Sequence, residues 1–163
     1  MTRPLRLAAL ALASALVLAA CGGSNTSSTT PTSSTASTPS SPRPASVVGT
    51  TTSSLGTFLV DAKGRALYLW DADHGSKSTC NGACATDWPP LTTTGAPKAS
   101  GKVKASLLGT TKRSDGSREV TYAGHPLYYY VGDTAPGQTT GEGSDGFGSP
   151  WWVVSAVGKA IQS

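Results

Sequence analysis

The sequence predicts an all-β fold, in which a duplicated repeat forms one small sandwich or barrel-like domain behind a disordered Ser/Thr/Pro tether. Three observations predict it. All 11 aromatic residues of the 163-residue chain (4 Trp, 5 Tyr, 2 Phe) fall after residue 46, so core-forming material is confined to 47–163. Sliding the chain by 60 positions matches Val48–Asp73 to Leu108–Asp133 without a gap, with 10 identities in 26 positions. Within this region, helical periodicity is limited to a possible turn near Ala83–Asp87, whereas short alternating apolar runs bounded by Gly and Pro recur.

The chain opens with Arg3 and Arg6, followed by the apolar run Leu7–Ala20. At about 1.5 Å per residue this run is too short for a bilayer core of roughly 30 Å. A basic start, a short apolar run and small residues before a break predict a secretory signal peptide over 1–20. The two arginines are not adjacent, which excludes a twin-arginine signal. Leu18-Ala19-Ala20-Cys21 resembles the bacterial lipobox. That resemblance implies a diacylglycerol on the sulfur of Cys21, and an extracytoplasmic protein held to the outer face of the cell membrane through its lipid.

Residues 21–46 form the expected tether. Ser24–Ser46 holds 9 Ser, 6 Thr and 4 Pro in 23 positions, with no aromatic residue and one charge, Arg43. Such a stretch has nothing to bury, and its prolines oppose both helix and sheet. The domain then divides into a first repeat over about 47–106 and a second over about 107–163.

In the first repeat, Val47–Thr51 predicts an outer strand. Phe58 and Val60 should share one face of the next strand, with Leu59 on the other. Asp61–Arg65 supplies a Gly-containing turn, and Ala66–Trp70 returns. In the second repeat Leu107–Thr111 is the outer strand, Val120–Tyr122 leads through Ala123-Gly124, and Pro126–Val131 returns. Tyr68 and Trp70 then stand together, as do Tyr128 and Tyr130, while Leu67, Leu69, Leu127 and Tyr129 take the opposite face. Apolar groups on both faces predict strands covered on both sides. Trp151–Val154 supplies a last strand.

Tyr68-x-Trp70-x-x-Asp73 and Tyr128-x-Tyr130-x-x-Asp133 resemble the Yx(F/W/Y)xxD signature of the bacterial secreted-repeat lipoproteins, a family of unknown function. The stretch Gly75–Cys84, followed by Trp88-Pro89-Pro90-Leu91, is similar to that family's first repeat. The resemblance covers nearly all of Val47–Gly158. The second copy lacks both cysteines and carries the glycine-rich stretch Gly141–Gly148, which argues against a site built from two identical halves.

The motif has a structural reading, with aromatics in the core and Asp73 and Asp133 accepting hydrogen bonds from turn amides. It also has a binding reading, an aromatic platform oriented by the carboxylates. Trp151 and Trp152 are candidate exposed additions to such a platform, at most one per surface because neighbours on a strand face opposite ways. Outside the cytoplasm Cys80 and Cys84 are expected to oxidise to a disulfide across a tiny loop, contributing about 2 kcal/mol. The alternative is a redox or copper site formed by His74, Cys80 and Cys84.

His125 reads as a surface residue. Asp133, Glu142 and Asp145 match no recognised calcium loop, and no nucleophile elbow or H-E-x-x-H motif is present. Of the formal charge of +4, Arg3, Arg6 and Arg43 account for three, so the domain carries one positive charge and no nucleic-acid footprint. The expected role is a non-catalytic envelope binding or structural module that needs no cofactor. A redox or copper-handling accessory is the alternative, and an envelope hydrolase, for which no nucleophile–base pairing is visible, comes third. The sequence names no ligand or protein partner.

Overall fold

The computed structural model describes residues 45–162. The expected leader 1–20, the lipid-attachment site Cys21 and all of the tether but its last two residues lie outside the described residues. Within the described residues, β1 (Val47–Ser53) and β2 (Gly56–Asp61) are followed by β3 (Tyr68–Trp70), the single helical turn α1 (Ala83–Asp87) and β4 (Lys98–Ala99). The second repeat contributes β5 (Leu108–Lys112), β6 (Arg118–Tyr122), β7 (His125–Pro126) and β8 (Trp151–Val153). No helix among them is long and apolar enough to cross a membrane.

The Val- and Thr-rich β1 pairs antiparallel with β2, Val48 opposite Asp61 and Ser53 opposite Gly56. The short β4 runs parallel along the outer edge of β1. Ser46 already joins this sheet, its hydroxyl donating to the Thr92 carbonyl at 2.8 Å and its own carbonyl accepting from Lys98 N at 2.8 Å. In the second repeat β5 pairs with β6, and β6 with β7. The return strands are shorter than expected. Only Tyr68–Trp70 forms a ladder in the first, and Ala66 makes a single bridge to Val60.

Each repeat completes its pairing with the other's last strand. β8 pairs with β3, Tyr68 opposite Val153 and Trp70 opposite Trp151. Reciprocally, Pro90 bridges Tyr128 and Thr92 bridges Glu119. At the centre Tyr68 N donates to Tyr128 O and Tyr128 N to Tyr68 O, both at 2.9 Å, so the two return segments meet about an approximate twofold. The result is a small, all-β, sandwich-like domain.

Strand alternation divides the core into two layers, as the sequence pattern predicts. Phe58, Val60, Tyr68, Trp70, Tyr128, Trp151 and Val153 lie in one. Leu59, Leu67, Leu69, Leu127 and Val154 lie in the other. In the first layer a stack alternates between repeats. Trp70 lies on Trp151 with centroids 5.1 Å apart, Trp151 on Trp88 at 4.0 Å, and Trp88 on Tyr130 at 4.5 Å. Tyr68 and Tyr128 meet Trp88 and Trp151 edge-on at 5.3 and 5.2 Å. Each such pair contributes about 0.5–1.5 kcal/mol beyond the area it buries.

The register corrects the ungapped match at Val60 and Val120. Val48 faces Asp61, but the equivalent Leu108 faces Tyr122, so the second hairpin is one residue longer. Leu59 is therefore equivalent to Val120, in the same apolar layer, while Val60 lies in the other. The structural counterpart of Phe58 is Glu119, as their matching bridges to Ser155 and Thr92 confirm. The following turn is one residue shorter, which restores the offset of 60 at Tyr68 and Tyr128.

Gly141 lets the stack close. A Cβ there would stand 2.6 Å from Trp88 Cη2 and 3.0 Å from Tyr130 Cγ. Gly141→Ala is expected to lower the unfolding free energy by about 1–3 kcal/mol through overpacking. Gly146→Ala, whose Cβ meets Ser144 Oγ first at 3.4 Å, should cost under about 1 kcal/mol by the same measure. Urea unfolding of the two variants checks the contrast, and equal effects would remove Gly141 from its assigned role.

Candidate functional site

The residues of the two motif copies meet across the twofold. After each return strand the chain turns, with Asp73 N donating to Trp70 O and Asp133 N to Tyr130 O. This turn points each carboxylate inward, where Asp73 and Asp133 are 6% and 5% exposed. Asp73 Oδ1 accepts from Thr79 N at 2.8 Å and Thr79 Oγ1 at 2.6 Å. Asp133 Oδ1 accepts equivalently from Thr140 N at 2.8 Å and Thr140 Oγ1 at 2.7 Å.

The second oxygens reach the opposite repeat. Tyr128 OH donates to Asp73 Oδ2 at 2.5 Å, and Tyr68 OH donates to Asp133 Oδ2 at 2.6 Å. Burial, and then the bond to Asp133, pushes the Tyr68 phenol far above its ordinary range. Tyr128 shifts the same way through burial, the charge of Glu119 and its bond to Asp73. Both phenols therefore remain proton donors to the carboxylates.

The two halves differ around Glu119. This side chain is fully buried at the position that Phe58 fills in the first repeat. Arg113, 4% exposed, donates from Nη1 to Glu119 Oε2 at 2.7 Å and to Ser78 Oγ at 2.5 Å. Its Nη2 donates to the Cys80 carbonyl at 2.6 Å and to Asn81 Oδ1 at 3.2 Å. Ser78 Oγ lies 2.8 Å from Tyr128 OH, which joins the ion pair to the motif. Among the described residues Glu119 Oε1 has no hydrogen-bond partner. Desolvation therefore outweighs the Arg113 contact and holds the Glu119 carboxyl up at about 7. Burial alone would lower Arg113, but the hydrogen bond and charge of Glu119 raise it above its ordinary value, so it stays charged.

The Cys80 and Cys84 sulfurs stand at disulfide distance, with Cα atoms 5.2 Å apart. The bridge closes the entry to α1, whose end places Trp88 in the stack through Trp88 N donating to Cys84 O at 2.8 Å. His74 is exposed, and no three His, Cys, Asp or Glu side chains among the described residues form a metal-binding group.

The expectation of an exposed Trp151 is also corrected. It is fully buried, because its strand face turns into the aromatic stack, and its Nε1 donates to Gly146 O at 2.9 Å. Trp152, facing the other way, is half-buried and donates to Asp71 Oδ2 at 2.9 Å. A cleft of about 550 Å³ opens elsewhere, between Asp61, Arg65, Pro89, Pro90 and Tyr129. There the Arg65 guanidinium lies 3.6 Å from the Tyr129 ring centroid, and Tyr129 OH donates to Asp61 Oδ2 at 3.1 Å.

Sequence reasoning missed Arg113, Glu119, Ser78 and both threonines. The threonines were findable, since Thr79 and Thr140 follow the motif aspartates by six and seven residues. The ion pair was not, because its detection needs the one-residue shift in the second hairpin.

A family described as a secreted repeat of unknown function matches the chain twice, over residues 49–92 and 109–155. The offset between these stretches widens from 60 at their starts to 63 at their ends, as the structure does between Tyr68/Tyr128 and Trp88/Trp151. No curated protein and no solved structure matches the chain.

Removing either carboxylate strands a buried phenol and a threonine amide. Asp73→Ala and Asp133→Ala should each lower stability in urea unfolding by about 3 kcal/mol, and changes near zero would show that the pairs are not structural. Glu119 yields a pH dependence. Its folded pKa of about 7 lies above the unfolded carboxyl value, so its contribution is fully present below about pH 4.3 and is lost as pH rises through 7. Wild type should therefore lose on the order of 3 kcal/mol relative to Glu119→Gln between about pH 4 and 8. Parallel stability profiles for the two proteins would refute this.

Proposed function

The chain belongs to a family of secreted repeats of unknown function, and on that premise we propose that it is a lipid-anchored, non-catalytic binding or structural module of the cell envelope. Cys21 carries the lipid in this reading, and the Ser/Thr/Pro stretch holds the duplicated domain off the outer face of the membrane.

One observation carries the non-catalytic part. The motif's tyrosines and aspartates are paired with each other inside the core. An acid–base site needs a titratable group within reach of a substrate, and these four groups face only protein. Cys80 and Cys84, fully buried and 6% exposed, are likewise positioned as a clasp on α1. The repeats thus supply a rigid frame, and partner recognition falls to its surface.

Fractionation of cells producing the Cys21→Ala variant tests the anchor. The wild-type protein is expected in the membrane pellet and the variant in the soluble extracytoplasmic fraction. A variant that stays with the membrane through an alkaline wash would overturn lipid attachment at Cys21.

A further inference from the structure

The approximate twofold exposes one difference at the sheet edges. In the first repeat the outer edge of β1 is covered, Lys98 N donating to Ser46 O and Ser100 N to Val48 O, both at 2.8 Å. In the second repeat β5 stands at the end of its sheet, with β6 on one side and, among the described residues, no strand on the other. Its hydrogen-bonding phase follows from the bonds at its two ends. Ala123 N donates to Leu107 O and Arg113 N to Ser117 O, so residues 107, 109, 111 and 113 face β6. The main-chain groups of Thr110 and Lys112 and the Leu108 carbonyl therefore point outward, and among the described residues no hydrogen bond reaches them, whereas Leu108 N donates back to Ala105 O. Leu108 is the counterpart of Val48, whose carbonyl Ser100 satisfies.

Resting on the reading of the domain as a binding module, we propose that the β5 edge is a strand-addition site for an extended acidic segment of another protein. The fold itself shows that this edge geometry accepts such a strand, since β4 lies on the equivalent edge of β1. Charge selects the partner. Lys104 lies at the approach to β5, Lys112 at its end and Arg118 opposite Lys112 on β6, all exposed. Arg118 Nη2 donates to Thr110 Oγ1 at 2.8 Å, which fixes a guanidinium beside the open backbone. The nearby carboxylates do not cancel these cations. Both face Arg113 instead, Glu119 Oε2 at 2.7 Å from its Nη1 and Asp115 Oδ2 at 3.8 Å from its Nε. A second copy would bring a matching set of cations to the edge, whereas an acidic strand neutralises them.

Hydrogen–deuterium exchange of the full chain in detergent tests this with capped eight-residue peptides that alternate Thr or Val with Glu. These peptides should slow exchange across Leu108–Lys112 at least threefold, and versions with Lys in place of Glu should not. Thr110→Pro removes an outward N–H that β6 does not use, so the fold should persist by near-UV circular dichroism while protection is lost. Lys112→Glu should raise the peptide concentration needed for this protection about tenfold. No slowing by any Glu peptide, or slowing that survives Thr110→Pro, would overturn the proposal. Self-association abolished by Thr110→Pro would assign the edge to a second copy instead. Membrane fractionation is read separately, so failure here leaves the anchored-module reading standing, and failure of anchoring leaves this edge testable.

Discussion

Two tyrosines hold the fold together. Tyr68 and Tyr128 exchange main-chain hydrogen bonds at the twofold, and their hydroxyls reach across it to the aspartate of the opposite repeat. Neither repeat satisfies its own pair. Each Oδ1 keeps a threonine of its own repeat, but each buried Oδ2 finds its donor only across the twofold, and leaving it unpaired would be costly, so each Asp requires the other repeat to be folded and in register. The same crossing carries β8 onto β3 and Pro90 onto Tyr128, and it places the aromatic stack with rings drawn alternately from the two halves. A duplicated sequence has thereby become one cooperative unit rather than two tandem ones.

On this shared frame the halves have diverged. Where the first repeat packs Phe58, the second buries Glu119 against Arg113, and the guanidinium extends to Ser78 and the Cys80 carbonyl beside the disulfide. A buried ion pair is weak evidence for stability, since desolvation offsets most of its attraction. Its consequence here is positional, because it ties the second hairpin to the disulfide loop of the first repeat and, through Ser78, to the Tyr128–Asp73 pair. The other divergence is at the edges, where the linker between repeats covers β1 and leaves β5 open. Internal symmetry explains the motif, and the departures from it are where partner chemistry can differ between halves.

Much of this was legible along the chain. Period-two alternation placed Phe58, Val60, Tyr68 and Trp70 on one face and Leu59, Leu67 and Leu69 on the other, because adjacent side chains on a strand must oppose. The turn at Ala83–Asp87 appears as α1. The expected exposure of Trp151 failed for a physical reason. Alternation says that Trp151 and Trp152 face apart, but which face is covered depends on Trp88 and Trp70 arriving from the other repeat.

The sequence by itself determined the all-β class, the duplication, the alternation of faces along each strand and the confinement of the core to one region, since these follow from composition and local backbone geometry. Only the tertiary structure decided that the motif is reciprocal across the repeats, that Glu119 rather than Arg118 occupies the place of Phe58, and that the edge of β5 is open. Those outcomes depend on register. One residue added to a hairpin loop inverts the faces of the strand that follows, and no periodicity within either repeat records which of its neighbour's groups it will meet.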